Sequence, residues 1–75
     1  TMNMQAEVDA LKNAPEPFDL AFIDSMILHH QLAIDAALMV QDTAIHPEIR
    51  AMAKSIIEEQ QREIVQLTAW RKAWY

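Results

Sequence analysis

Apolar residues recur at helical spacings along nearly the whole chain. A first segment, roughly Asn3 to Ala14, carries a narrow apolar stripe formed by Met4, Val8 and Leu11. This spacing predicts a short helix. Pro15 and Pro17 end it, because proline lacks a backbone donor and disfavours the helical conformation in the residue before it. We therefore expect residues 1–17 to form an N-terminal arm and linker.

The longest apolar pattern predicts a second helix from about Asp19 or Leu20 to Gln41 or Asp42, with Asp19 able to cap its start. Two apolar stripes run along this helix. The first follows a and d spacing and consists of Phe22, Met26, His29, Ala33, Ala36 and Val40. The second lies beside it and consists of Ile23, Ile27, His30, Ile34 and Ala37. Two adjacent stripes indicate contact with more than one neighbouring helix.

A third helix is predicted from Pro47 to the chain end, since proline suits the first position of a helix. Its seam consists of Ile49, Ala53, Ile56, Gln60, Glu63, Leu67, Trp70 and Trp74. The short connection Thr43–His46 predicts that the two long helices pack antiparallel. The expected fold class is thus all-α. Residues 1–75 form one domain, in which residues 18–75 make a long helical hairpin that follows a short N-terminal helix.

Composition agrees with this fold class and narrows the function. The chain has no glycine and three prolines, which leaves little material for the tight turns of β-hairpins. Eleven acidic against six basic residues give a formal net charge of −5, which argues against nucleic acid and anionic membrane surfaces as partners. The absence of cysteine excludes disulfides and zinc–thiolate sites. No apolar run approaches the ~18 residues of a membrane span, and the N-terminus lacks the pattern of a signal peptide.

A thioether and two imidazoles lie within two predicted helical turns. Met26 precedes His29 by three residues and His30 by four, so it can share a helical surface with either histidine. Thioether and imidazole ligands together favour copper, particularly Cu(I). The several oxygen ligands of calcium or magnesium sites and the paired Glu-x-x-His motifs of di-iron bundles do not occur here.

The predicted hairpin register brings further polar side chains to the same level. With the midpoint near Ala44 and Ile45, His29 lies level with Gln60, and Met26 lies level with Glu63. The polar positions of the third helix thus meet those of the second. At the open end of the hairpin, Phe18 and Phe22 are expected near Trp70 and Trp74 as an aromatic cluster.

A structural role is the alternative interpretation of the same side chains. A buried polar layer in which His29 bonds to Gln60 or Glu63 would fix the register of the helices without any ligand. The chain would then be a non-catalytic helical interaction module. No arrangement of Ser25 or Ser55 with a base indicates a hydrolytic triad, and we expect no enzymatic activity.

The sequence resembles the bacterial family called domain of unknown function 305. The resemblance covers about Phe18 to Tyr75 and rests on the stretch FDLAFIDSMILHHQ, on HPEIR from His46, and on Gln60, Glu63, Ile64 and Trp70. Met26, His29 and His30 match the family's Met-x-x-His-His signature. Family members often have another methionine shortly after the Glu-Ile pair, and Leu67 stands at that place here.

This resemblance implies a ferritin-like architecture, export to the periplasm or beyond the cell, and copper binding. We therefore expect two copies to pair into a ferritin-like four-helix bundle, a homodimer that binds copper for storage, buffering or delivery. Met26 and His29 are the first expected ligands. His30 and Glu63 come next, and Gln60 would orient a ligand through a hydrogen bond.

Overall fold

The computed structural model describes residues 4–15 and 17–75, and within these ranges the chain is helical with no strand. The helices are α1, Met4–Lys12; α2, Phe18–Thr43; and α3, Pro47–Trp74. The all-α prediction and the order of a short helix before a long hairpin are confirmed. Asn3, where the first helix was predicted to begin, lies outside the described residues.

Proline residues, and not side-chain capping hydrogen bonds, mark the starts of the two long helices. α2 begins one residue earlier than predicted, with Pro17 preceding it and no side-chain hydrogen bond at its cap. The prediction that Asp19 caps α2 is therefore wrong. Asp19 lies inside the first turn, where a carboxylate interacts favourably with the helix dipole. Pro47 opens α3 as predicted.

The connection between the long helices, residues 44–46, is short and held from the helix that follows it. Arg50 Nη1 donates to the carbonyl oxygens of Ala44, at 2.8 Å, and Ile45, at 3.0 Å. These bonds satisfy two carbonyl groups that leave the helical pattern, and they fix the point at which the chain reverses. The two long helices consequently run antiparallel and in contact along their lengths.

The core is small. Most of the α2 residues buried in it belong to one of the two apolar stripes. Ile23, Ile34 and Ala37 of the second stripe are buried, and α3 contributes Ala53 and Leu67. The second stripe therefore packs against α3, while Phe22 of the first stripe stays 41% exposed. The prediction that α2 contacts more than one neighbouring helix holds, since it packs against both α3 and α1, while Phe22 of the first stripe stays exposed.

The three helices lie side by side in a single layer. The Cα atoms extend over 44 × 28 × 13 Å, so the arrangement is less than half as thick as it is wide. α1 contacts α2 and, among the described residues, does not contact α3. α2 is thus the middle helix, with α1 on one flank and α3 on the other.

The two broad faces of this layer differ in chemistry. At about 100° per residue, Phe22, Met26, Ala33 and Val40 project from one side of α2. Gln31, Asp35 and Asp42 project from the opposite side and are polar. We call the first side the groove face. None of the helices in the described part of the chain is long and apolar enough to cross a membrane.

Candidate metal centre

A cavity of about 290 Å³ opens on the groove face between α2 and α3. We call it the donor cavity, because a thioether, an imidazole and a carboxylate line it. Its lining residues are Phe22, Met26, His30, Glu63, Gln66, Leu67 and Trp70. Three of the four residues predicted to bind metal therefore gather at one place, and His29 is the exception.

His30 and Glu63 join the two long helices across this cavity. His30 Nε2 donates to Glu63 Oε1 at 2.6 Å. The His30 side chain is 13% exposed and that of Glu63 is 58% exposed. The imidazole is thus held inside the hairpin, whereas the carboxylate reaches it from the solvent side.

His29 turns instead towards the N-terminal helix. Its Nε2 atom donates to Glu7 Oε1 at 2.6 Å, and both side chains are about three-quarters buried. Its predicted role as a ligand remains untested, and it does not line the donor cavity. Glu7 was not predicted to bond to His29, although its position in the sequence gave an indication. It lies four residues before Leu11 and so shares the apolar side of α1.

The register of the hairpin differs from the predicted one by about a helical turn at Glu63. The predicted register placed this carboxylate level with Met26. In the structure it accepts a hydrogen bond from His30, four residues further along α2. Met26 nevertheless lines the same cavity. The structural alternative also needs correction, since Glu63 bonds to His30 and His29 bonds to Glu7. No polar or charged residue in the described ranges is fully buried, so the expected buried polar layer is only partly buried.

Aromatic side chains form the outer wall of the donor cavity. Phe22 and Trp70 both line it, as the predicted aromatic cluster requires. Each also stacks along its own helix, Phe18 on Phe22 with centroids 6.4 Å apart and Trp70 on Trp74 at 5.6 Å. All four rings remain at least 41% exposed, so this apolar wall is largely uncovered.

A second cavity, of about 300 Å³, continues the groove face towards the helix connection. We call it the alanine cavity. Its lining residues are Ala33, Ala36, Ala37, Val40, Ile49, Met52, Ala53 and Ile56. It contains no ionisable side chain. The cavities of the groove face are therefore lined by apolar residues except at His30, Glu63 and Gln66.

An ion pair ties the long helices together at the level of the aromatic wall. Arg71 Nε donates to Asp24 Oδ1 at 2.6 Å. This hydrogen bond from Arg71 lowers the pKa of the Asp24 carboxyl below its ordinary value, partial burial opposes the shift, and the charge of Arg71 adds to it. The pair supports the hairpin next to the cavity without lining it.

The donor set of the cavity suits a soft monovalent ion better than a hard divalent one. Met26 and His30 offer sulfur and nitrogen, the ligands that Cu(I) prefers. Only one carboxylate is present, whereas calcium and di-iron sites need several oxygens. Throughout residues 4–15 and 17–75, His, Cys, Asp and Glu side chains form no group of three that could hold a metal. In the donor cavity, the thioether of Met26 stands beside one imidazole and one carboxylate.

The fold and the cavity define a small helical-hairpin protein with mixed sulfur, nitrogen and oxygen donors on one face. The family model for the domain of unknown function DUF305 matches residues 1–71. The chain therefore belongs to this family, which confirms the resemblance found in the sequence. No curated protein and no solved structure matches the chain.

Proposed function

We propose that this protein binds copper, as Cu(I), in the donor cavity, and that it stores, buffers or delivers the ion in an exported compartment. One observation carries the proposal: Met26, His30 and Glu63 come from two helices and line the same cavity. The exported location rests on the family resemblance. A binding role, rather than catalysis, is proposed because the cavity offers metal donors and no nucleophile with a base.

Each of the three side chains has a distinct task in this proposal. Met26 supplies the soft sulfur that distinguishes Cu(I) from hard cations. His30 supplies an imidazole nitrogen, and its short hydrogen bond fixes the ring orientation. Glu63 either joins the ligand set or remains the hydrogen-bond partner of His30. Copper bound here is cargo held by the chain.

We also propose that two copies pair through their groove faces into a ferritin-like four-helix bundle. Stable domains place two packed layers around a core, whereas this chain forms one layer. A compact monomer of this mass exposes about 4700 Å². The chain exposes 5657 Å². The excess, about 1000 Å², is close to the ~800 Å² that each partner buries in a stable interface.

The non-catalytic interaction module remains the second candidate, and a specific observation favours it. Both imidazoles already have carboxylate partners at 2.6 Å. Within the described ranges, no buried side-chain nitrogen or oxygen lacks a hydrogen bond. On this alternative, the two histidine pairs would only hold the helices in register.

Copper uptake by the wild-type protein separates the two candidates. The protein would be titrated with Cu(I) in competition with a chromogenic chelator, and its melting temperature would be measured with and without the ion. Binding should raise the melting temperature, because a ligand that binds only the folded state stabilises it. A folded protein that takes up no Cu(I) and shows an unchanged melt would reject copper binding and leave the interaction module.

A further inference from the structure

The donor cavity offers a metal an incomplete set of ligands. Within the described part of one chain it brings together one thioether, one imidazole and one carboxylate. Glu63 is 58% exposed, so this side of the cavity is open to water. A weakly hydrated soft ion such as Cu(I) gains most where further sulfur or nitrogen donors replace that water. The open side is the groove face itself.

His30 lines the donor cavity from inside the hairpin, at a level near the middle of the groove face. It follows Phe22 by eight residues and precedes Val40 by ten, and these two residues mark the ends of the face on α2. At about 1.5 Å per residue, His30 is within ~2 Å of the midpoint along the helix axis. Glu63 lies within about one helical turn of the midpoint between Ile49 and Trp70 on α3.

Two identical layers can stack groove face on groove face about a two-fold axis in two orientations. An axis along the helices keeps every residue at its own level, so the donor cavities of both copies meet. An axis across the helices reverses the second copy end for end, and then only residues near the middle meet their counterparts. His30 is such a residue. Both orientations therefore bring the second copy's His30 next to the donor cavity of the first.

The second copy is the occupant that the chemistry of the face favours. The alanine cavity at one end of the groove face and the aromatic wall at the other are both apolar, and the opposite side of α2 carries Gln31, Asp35 and Asp42. The excess exposed area matches one half of a stable interface. A polar or strongly charged partner would not offer apolar groups to pack against this apolar surface.

We infer that one Cu(I) is shared between two copies: it binds near the two-fold axis, where His30 of the second copy completes the set formed by Met26, His30 and Glu63 of the first. This inference rests on the proposed copper binding and goes further, because it makes the single chain an incomplete site. Metal binding and dimerisation are then thermodynamically linked. Cu(I) must tighten the dimer, and dimerisation must raise the affinity for Cu(I) by the same factor.

The test combines sedimentation equilibrium with Cu(I) titration over a range of protein concentrations. In the wild type, Cu(I) should lower the dimer dissociation constant at least tenfold. The affinity for Cu(I) should fall when the protein is diluted below that constant. This dilution series needs no mutation, so it decides the question even if a variant fails to fold.

A matched pair of charge insertions supplies the second arm. Ala36 is exposed in one chain and lines the alanine cavity but not the donor cavity. Ala36→Glu should block pairing and lower the Cu(I) affinity at least tenfold. Ala51 is equally exposed but projects from the opposite side of α3, so Ala51→Glu should leave both unchanged.

Three results would be informative in different ways. A monomeric Ala36→Glu variant with wild-type Cu(I) affinity would overturn the shared site and leave copper binding by one chain intact. Cu(I) affinity that does not change on dilution through the dimer dissociation constant would do the same. A wild-type dimer that binds no Cu(I) would overturn the proposed function together with the shared site.

Discussion

At position 67 the chain carries a leucine whose side chain lines the donor cavity with Met26 and Glu63. The leucine is buried, at 7% exposure, and belongs to the small core of the hairpin. A methionine at this position would bring a second thioether to the same cavity. The residue at position 67 therefore decides whether the cavity offers one thioether or two.

Leu67→Met should therefore strengthen Cu(I) binding. We expect at least a tenfold gain in affinity in a chelator competition titration, with a cost of less than ~1.5 kcal/mol in unfolding free energy, because leucine and methionine have similar volumes. Met26→Leu is the converse change and should weaken Cu(I) binding while the fold survives. If Leu67→Met bound Cu(I) no better than the wild type, the cavity would not be where the ion sits.

Individual donors were easier to predict than their partners. Met26, His30 and Glu63 were predicted from helical spacing and hairpin register, and they do line one cavity. Adjacent histidines on a helix point about 100° apart, so they can serve different neighbours. Which one faces α3 depends on the rotation of α2, and a rotation of a fraction of a turn exchanges them. Glu7 could be placed only once the docking side of α1 was known.

At the scale of the elements, proline positions and apolar periodicity were sufficient to predict three helices, with ends within a few residues of those observed. They were not sufficient to predict which α2 stripe packs against α3. Both stripes are apolar at helical spacing, and the choice depends on whether Ile23 and Ile34, or Phe22 and Val40, make the closer packing. Phe22 and Val40, which are among the bulkier residues of the first stripe, remain on the groove face.

The Asp24–Arg71 pair gives the hairpin a stability that depends on pH. Since the hydrogen bond from Arg71 lowers the pKa of Asp24, the ionised carboxylate stabilises the folded state. This contribution is complete above the ordinary aspartate pKa of ~3.9 and is lost as the pH falls through the lower pKa of the folded state. Both side chains are nearly half exposed, so its size is at most about 1 kcal/mol.

Asp24→Asn should accordingly be less stable than the wild type at neutral pH, and the difference should vanish in strong acid. Urea unfolding at several pH values measures it. Asp42→Asn, a change at an exposed carboxylate near the other end of α2, is the control and should cost little at any pH. A difference between the wild type and Asp24→Asn that persisted in strong acid would show that the ion pair is not its source.

For the whole molecule, the single layer of helices predicts a fold whose stability depends on association. The melting temperature should rise with protein concentration if folding is linked to the proposed dimerisation. Trp70, 41% exposed and lining the donor cavity, should be covered in the dimer. Trp70→Ala should then cost about 3–5 kcal/mol, as truncation of a buried aromatic does.

Trp74 provides the matched comparison. It stacks on Trp70 but is 57% exposed and does not line the cavity. Trp74→Ala should cost only about 1 kcal/mol and leave the concentration dependence in place. Equal losses for the two variants, or a melting temperature independent of concentration in the wild type, would place the interface elsewhere or show the chain to be a monomer.

The adjacent histidines allow the most direct test of copper binding in the donor cavity. His30 lines the cavity, whereas its neighbour His29 bonds to Glu7 on α1. Cu(I) affinity would be measured by chelator competition for the wild type, His30→Ala and His29→Ala. We expect His30→Ala to lose at least tenfold in affinity, about 1.4 kcal/mol, and His29→Ala to stay within threefold of the wild type. Unchanged binding in His30→Ala, or a larger loss in His29→Ala, would contradict a copper site in this cavity.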